Sequence, residues 1–241
     1  MIYLDNAATT ALSESVRNAM EPYLSGYYGN PSSIYRFGQE ARKAVEESRQ
    51  TIASLLHVSP REIYFTGGGT ESDNWAISSV VLERALKKEK SVHLITSTIE
   101  HPAVLRTCAF FESLGVKVSR IPVDQKGFLD LEALERVLQK ESSLQEESSL
   151  REREEHSFPS KSGEEAKKGA SHCLVSVMAA NNEIGTIENL KEIGRLAKKY
   201  GAVFHTDAVQ AFGQIPLDIE EMQIDLLSAS SHKIHGPKGV G

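Results

Sequence analysis

Apolar positions along the chain alternate between a helical and an extended period. From Gln39 to His57, the residues Ala41, Val45, Ile52 and Leu56 fall on one face at helical spacing, which predicts an amphipathic helix. Ser59-Pro60-Arg61-Glu62 is a helix-start signal, with proline first and a capping-box glutamate, and Ile63-Tyr64-Phe65 then reads as a short strand. Helix is predicted over Glu71 to Lys88, strand over Val92 to Thr96, and helix over Pro102 to Leu114 with Gly115 as its stop. Strand follows at Val116 to Ile121, then helix at Leu129 to Leu138 with Asp130 in its first turn. Leu174 to Ala179 is a near-continuous apolar run of the kind buried on both faces of a sheet. A helix from Ile193 to Tyr200, closed by Gly201, leads to strand at Ala202 to Thr206, and a last short apolar strand starts at Asp225. Such alternation predicts the α/β class, with a mostly parallel sheet covered by helices.

One stretch breaks the rhythm. Gln139 to His172 is 34 residues with eight acidic and six basic side chains but only five of Leu, Phe and Ala. It contains a near-repeat, residues 141–146 followed by 147–152. So few large apolar groups do not offset the entropy of ordering the segment in a core. A disordered surface insertion over 139–172 is expected, in preference to a docking arm.

Composition narrows the function classes. With 241 residues, 40% hydrophobic and 25% charged, the chain is long enough for a sizeable core. A net charge of −6 argues against a broadly cationic nucleic-acid binder. No apolar run approaches the ~20 residues that span a bilayer, and Met1 to Asn6 lacks the pattern of a signal peptide. Cys108 and Cys173 form no CxxC pair, so neither a disulfide framework nor a Cys-rich metal site is expected, and a cytoplasmic setting fits.

Four constellations carry candidate chemistry. Thr66-Gly67-Gly68-Gly69-Thr70-Glu71-Ser72 lies between a predicted strand and helix, where bare backbone and first-turn N–H groups attract an anion; Gly69 and Thr70 are best placed to hold a phosphate. Glu100-His101-Pro102 follows a strand, at the end of a parallel sheet where ligands sit. His101 can stack on a flat ring or move a proton there, or simply cap a helix. Asp207, in His205-Thr-Asp-Ala-Val-Gln210, ends a buried strand and needs a cationic partner: a protonated pyridine nitrogen, an arginine or a helix N-terminus. Gln210, one turn on, can donate to a ring oxygen. Ser228-Ala-Ser230-Ser-His232-Lys233 brings a lysine to a strand end among small residues, where burial makes a neutral amine available for a Schiff base. Lys238, in the following Gly/Pro turn, reads as a solvated surface charge.

Together these segments resemble cysteine desulfurases of the NifS/IscS type, in the class V aminotransferase superfamily. The resemblance is carried by Tyr3-Leu-Asp-Asn-Ala-Ala-Thr-Thr10, Gly29-Asn-Pro-Ser-Ser33, Gly67-Gly-Gly-Thr-Glu-Ser-Asp-Asn74, Glu100-His-Pro102, Asn181-Asn-Glu-Ile-Gly185, His205 to Gln210 and Ser230-Ser-His-Lys233, in the family's order. It implies a three-layer α/β/α large domain of fold type I over 16–241, with residues 1–15 as an arm that would pack with a small C-terminal domain missing from this sequence. The implied cofactor is pyridoxal 5'-phosphate. Lys233 would hold it covalently, Asp207 would pair with its ring nitrogen, Gln210 would contact the ring oxygen, and His101 would stack and assist proton transfer. Gly69, Thr70, Ser230 and His232 would hold the phosphate, with Asn182 near the ring oxygen and substrate.

The implied reaction converts L-cysteine to L-alanine and leaves a persulfide on an enzyme cysteine, for delivery to a sulfur-acceptor scaffold protein in iron–sulfur assembly or another sulfur-transfer route. The family is generally homodimeric. Its nucleophilic cysteine and the arginine that grips the substrate carboxylate lie beyond the residue matching Gly241, and neither Cys108 nor Cys173 matches the persulfide position; core packing is expected for both. A selenocysteine lyase, another class V lyase or aminotransferase, or an inactive cofactor-binding fragment are the alternatives.

Overall fold

The computed structural model describes residues 2–86, 92–155 and 172–241. The extended segments assemble into one five-stranded sheet: β1 (His93–Ser97), β2 (Lys117–Ile121), β3 (Cys173–Ser176), β4 (Val203–Asp207) and β5 (Leu226–Ser228). Their order is β2-β1-β3-β4-β5, and every pairing is parallel. Among the described residues six α-helices accompany them: α1 (Glu14–Ser25), α2 (Arg36–Leu56), α3 (Gly69–Leu86), α4 (Pro102–Ser113), α5 (Leu131–Glu155) and α6 (Leu190–Lys199).

Alternating side chains of the strands explain the layers. Leu94 and Leu174 are register partners, and both pack with Ile77 and Val81 of α3 and Val104 and Phe111 of α4. Their neighbours Ile95 and Val175, also register partners, point the other way, into a core with Leu134 and Leu138 of α5 and Ile193 and Leu196 of α6. Both faces of β1 and β3 are therefore dry, and every residue of the two strands is buried, the polar His93, Thr96, Ser97 and Ser176 included. The parallel sheet covered by helices expected from the alternation is present, in the three-layer α/β/α arrangement that the resemblance implies. Cys108 and Cys173 are both buried thiols in these cores, and burial pushes the Cys108 thiol up to about 11. Among the described residues no helix is long and apolar enough to cross a membrane.

Two expectations are corrected. Ile63 to Phe65 is not a strand. The capping box before it does form, but only around a 3-10 turn over Pro60–Glu62. A strand needs a partner ladder, and the nearest pairing here is a single reciprocal one, Thr66 N–H to Gly241 O at 2.9 Å and Gly241 N–H to Thr66 O at 3.0 Å. The second correction concerns the polar stretch. α5 does not stop near Leu138 but runs on to Glu155, so the expectation of disorder from residue 139 fails for its first part. The turn after Leu138 is seated by Glu141, whose carboxylate meets both the His93 ring at 3.3 Å and the Lys117 amine. Residues 156–171 of the stretch lie outside the described residues.

Candidate active site

The carboxyl ends of β1, β3, β4 and β5 open on one cleft of about 980 Å³, where the strand order of a doubly wound sheet places ligands. All nine residues singled out from the sequence line it: Gly69, Thr70, His101, Asn182, Asp207, Gln210, Ser230, His232 and Lys233.

The glycine turn sets one end. Gly68 has φ +146°, a conformation that disfavours side chains, and α3 begins at the next residue with its first N–H groups toward the cleft. Thr66 Oγ1 and Ser72 Oγ, 2.7 Å apart, tie the turn to the helix. A Cβ on Gly69 would stand 2.7 Å from Val209 Cγ2, so the turn and the segment after β4 are packed on a missing side chain. Buried Ser230 and half-buried His232 face the same end. That set suits a phosphate: N–H groups at a helix start, hydroxyls and an imidazole.

The floor carries the charge. Asp207 is the last residue of β4, 5% exposed, and accepts the Val209 N–H at 2.9 Å. Burial raises its pKa, opposed by that hydrogen bond and by His101 and Lys233. His101 is both things the sequence allowed. It caps α4, its Nδ1 accepting the Ala103 N–H at 3.1 Å, and its ring lines the cleft. An accepting Nδ1 leaves Nε2 as the nitrogen able to carry a proton.

Lys233 ends a 3-10 turn over Ser231–Lys233. Burial lowers its pKa, opposed by Asp207 and Asp5, so the neutral amine is more accessible than for a surface lysine. The N-terminal arm lies along this turn. The Thr10 N–H and hydroxyl both donate to the His232 carbonyl at 2.9 Å, and the Ser13 N–H donates to His235 O at 3.0 Å. Gln210 Nε2 donates to the Ala7 carbonyl at 2.8 Å. Asn182 borders the cleft near Met178 and Ala180.

Some lining residues escaped sequence reasoning. Asp5 and Thr9 reach the cleft only because the arm folds back, a long-range event no local pattern reports. Lys238 is exposed, as expected of a surface charge, yet stands on the rim. Asp73 is the instructive miss. It shares the buried stripe of α3 with Ile77, Val80 and Val81, and a carboxylate at an apolar-face position is a readable signal.

Pyridoxal phosphate fits this donor set. The cradle has a side-chain-free anion end, a carboxylate for a ring cation, an imidazole beside it and an amine of lowered pKa. Comparisons with known proteins agree. The family model described as Aminotransferase class-V matches residues 2–146 and 163–241, and the gap falls inside the polar stretch. Cysteine desulfurase IscS of Dictyoglomus turgidum is 44% identical over 240 residues, covering 100% of this chain and 52% of that protein. The Homo sapiens protein named cysteine desulfurase is 44% identical over 242 residues, covering 100% of this chain and 46% of its own length. Among solved structures, one titled "SspA in complex with cysteine" superposes with a TM-score of 0.81 at 34% identity, over 100% of this chain and 60% of that one. A NifS-like protein also gives 0.81, at 37% identity, over 100% and 57%. The chain thus spans about half the length of the curated relatives it matches. On the family match, which covers nearly all of its residues, this chain belongs to the class V aminotransferases.

Proposed function

We propose that this chain is the cofactor-binding part of a pyridoxal-phosphate-dependent cysteine desulfurase. The observation that carries the reading is that Lys233 and Asp207 line one cleft with the glycine turn and act on each other electrostatically across it. Names of the relatives supply the reaction class.

In this reading the cofactor, when bound, supplies an electron sink for charge developing on the substrate. The residues of this chain do the rest. Gly69, Thr70, Ser230 and His232 bind the phosphate. Asp207 holds a proton on the ring nitrogen by offering it a buried negative charge. Gln210 and Asn182 orient the ring oxygen, and Gln210 must first release the Ala7 carbonyl. Lys233 would hold the cofactor covalently through its amine, whose lowered pKa makes the neutral form available. His101 stacks on the ring and moves a proton at Nε2.

Overall, the C–S bond of L-cysteine breaks, sulfur joins an enzyme thiol as a persulfide, and L-alanine leaves. Burial disqualifies Cys108 and Cys173 as that thiol. We place it, with the arginine for the substrate carboxylate and a small domain packed on the arm over 1–15, in the half of the relatives this chain does not span. A homodimer in the cytoplasm that passes sulfur to an acceptor protein completes the proposal. Exposed Tyr64 and Trp75, edge to face at 5.3 Å, and exposed Leu82 and Phe110 supply apolar surface for such contacts.

The test is spectroscopic. Mixing the chain with pyridoxal phosphate is expected to give a yellow adduct that borohydride fixes to protein, and Lys233→Ala should abolish it. Identical spectra for both proteins would remove Lys233 from the role. Cysteine-dependent sulfide release by the 241 residues alone is expected to be absent or very slow, and to appear when the other half of a relative is fused on.

A further inference from the structure

A second carboxylate stands beside Asp207, and none of the roles above uses it. Asp73, on α3, is 1% exposed. Its Oδ1 has no hydrogen-bond partner. It lies 3.8 Å from His205 Nε2, and it, an Asp207 oxygen and a His101 ring nitrogen all fall within 4.8 Å of one another. His205 is fully buried, with Nδ1 2.9 Å from Ser176 Oγ and Nε2 2.9 Å from Ser228 Oγ. The Ser228 hydroxyl in turn reaches the Asp73 carboxyl. A buried polar string therefore runs from Ser176 through His205, Ser228 and Asp73 to Asp207.

Two carboxyl groups this close in a dry site do not both ionise. Their surroundings decide which does. Asp207 accepts the Val209 N–H, and His101 and Lys233 both act on it in the direction that favours its charged form. Around Asp73, Asp207 and more weakly Glu100 push toward the neutral form, and the Ser228 hydroxyl opposes them. His205 brings no cation, because burial pushes its pKa down to about 4. Burial first, then Asp207, pushes Asp73 up to about 8. An Oδ1 buried without a donor also disfavours the charged form, because a desolvated carboxylate oxygen needs donors.

We propose that Asp73 is a positioning residue that works as a neutral acid: by keeping its own proton it leaves Asp207 as the single anion of the pair, aimed at the ring nitrogen. This deepens the cofactor reading and rests on it. The protonated state itself can be tested without cofactor.

An infrared difference spectrum between the cofactor-free chain and its Asp73→Asn variant is expected to contain a carboxylic-acid carbonyl band at pH 7. The band should fade as pH rises through about 8. Introducing Asp207→Asn should move that fading to higher proton affinity loss, that is to lower pH, because the neighbouring negative charge is gone. No acid band at pH 7, or a band unmoved by Asp207→Asn, overturns the proposal. With pyridoxal phosphate added, Asp73→Asn should leave the pH midpoint of the lysine adduct's absorption within a few tenths of a unit of the parent. A shift of about one unit or more would show that Asn replaced a charge and would also overturn it. If the parent forms no adduct at all, the cofactor reading fails while the infrared result still stands. Should Asp73→Asn not fold, the band is read in a Glu100→Gln background with and without Asp207→Asn, because Glu100 would otherwise add an acid band of its own that Asp207 also influences.

Discussion

The Nζ of Lys233 donates to the Ala8 carbonyl at 2.9 Å and also to the carbonyl of Ala7. The amine proposed to take the cofactor is thus parked on the N-terminal arm, with Asp5 of the same arm raising its proton affinity. A hydrogen bond from a charged donor is worth about 1.5–3 kcal/mol net. The amine must leave both carbonyls and lose its proton before it attacks an aldehyde. Deleting residues 2–8, while keeping the Thr10 anchor on His232, is expected to speed covalent capture of pyridoxal phosphate by about tenfold, which corresponds to ~1.4 kcal/mol. The measurement is the rate of the absorbance rise. Equal or slower capture would show that the arm orients the amine instead of restraining it.

Glu100 gives a prediction about pH and stability. It is 4% exposed. Its Oε1 accepts from Ser97 Oγ at 2.6 Å and from the Met178 N–H at 3.0 Å, while Oε2 has no partner. Burial pushes the carboxyl up to about 8. The folded value lies above the unfolded one, so the folded chain keeps a proton that the unfolded chain releases. Stability from this group is full below the unfolded pKa and is lost as pH rises toward 8. Glu100→Gln stays neutral, keeps both accepted hydrogen bonds and puts N–H groups at the unpartnered position. At pH 9 the variant is expected to be more stable than the parent by about 1–3 kcal/mol, or ~2–4 °C in Tm per kcal/mol. At pH 5 the two should melt alike. A gain of the same size at both values would mean that Glu100 is not the titrating group. His205, pushed down to about 4, works in the opposite direction and costs stability as pH falls below its ordinary value.

What the sequence disclosed follows from how local each cause is. Leu94-Ile95 and Leu174-Val175 read as strands because consecutive apolar residues supply one side chain to each of two dry faces. Gly69, Thr70, His101, Asp207, Gln210 and Lys233 are legible because short motifs at strand ends are local too, whereas Asn182 and the roles of Ser230 and His232 enter only through the family resemblance. Ile63 to Phe65 has the composition of a strand but not its partner, and composition does not report partners. The continuation of α5 depends on Glu141 meeting His93 and Lys117 from two separate strands, a relation invisible in a window of charged residues. Asp73 sits inside a quoted motif, yet its importance comes from β4 and β5, which fold against it from more than a hundred residues away.

The anchoring of α5 is testable at Glu141. His93 is 3% exposed, and burial lowers its pKa, so at neutral pH the ring is uncharged. Its Nε2 lies 2.9 Å from Ser119 Oγ. Its Nδ1 makes no hydrogen bond, and a Glu141 oxygen 3.3 Å away is a polar contact that faces it. Glu141→Ala would remove the polar contact to this buried ring nitrogen together with the Lys117 pair, at a cost of about 0.5–1.5 kcal/mol. Tm should fall by ~2–4 °C per kcal/mol, and amide exchange should rise in the segment around Glu141. Glu141→Gln, which retains an acceptor, should lose less than half as much. Equal losses in both variants would point to the exposed Lys117 pair as the source.

Gly69 offers the sharpest test of the phosphate end. Its absent Cβ leaves room for Val209 Cγ2, which would otherwise stand 2.7 Å away, with Ser230 Cβ at 3.4 Å. Because the closer atom belongs to a side chain, the clash acts through Val209. Pushing Val209 also disturbs its N–H, which donates to Asp207 at 2.9 Å. Gly69→Ala should therefore damage both ends of the cradle, weakening pyridoxal phosphate binding by about tenfold or more, since overpacking costs ~1–3 kcal/mol. Val209→Ala removes the colliding methyl groups. In the double variant Gly69→Ala, Val209→Ala, affinity should return to within a few-fold of the parent, while Val209→Ala alone should change it little. This non-additivity is the signature of a direct contact. If the double variant binds as poorly as Gly69→Ala, the added methyl is obstructing the ligand itself, and Gly69 serves close approach of the phosphate and not the packing against Val209.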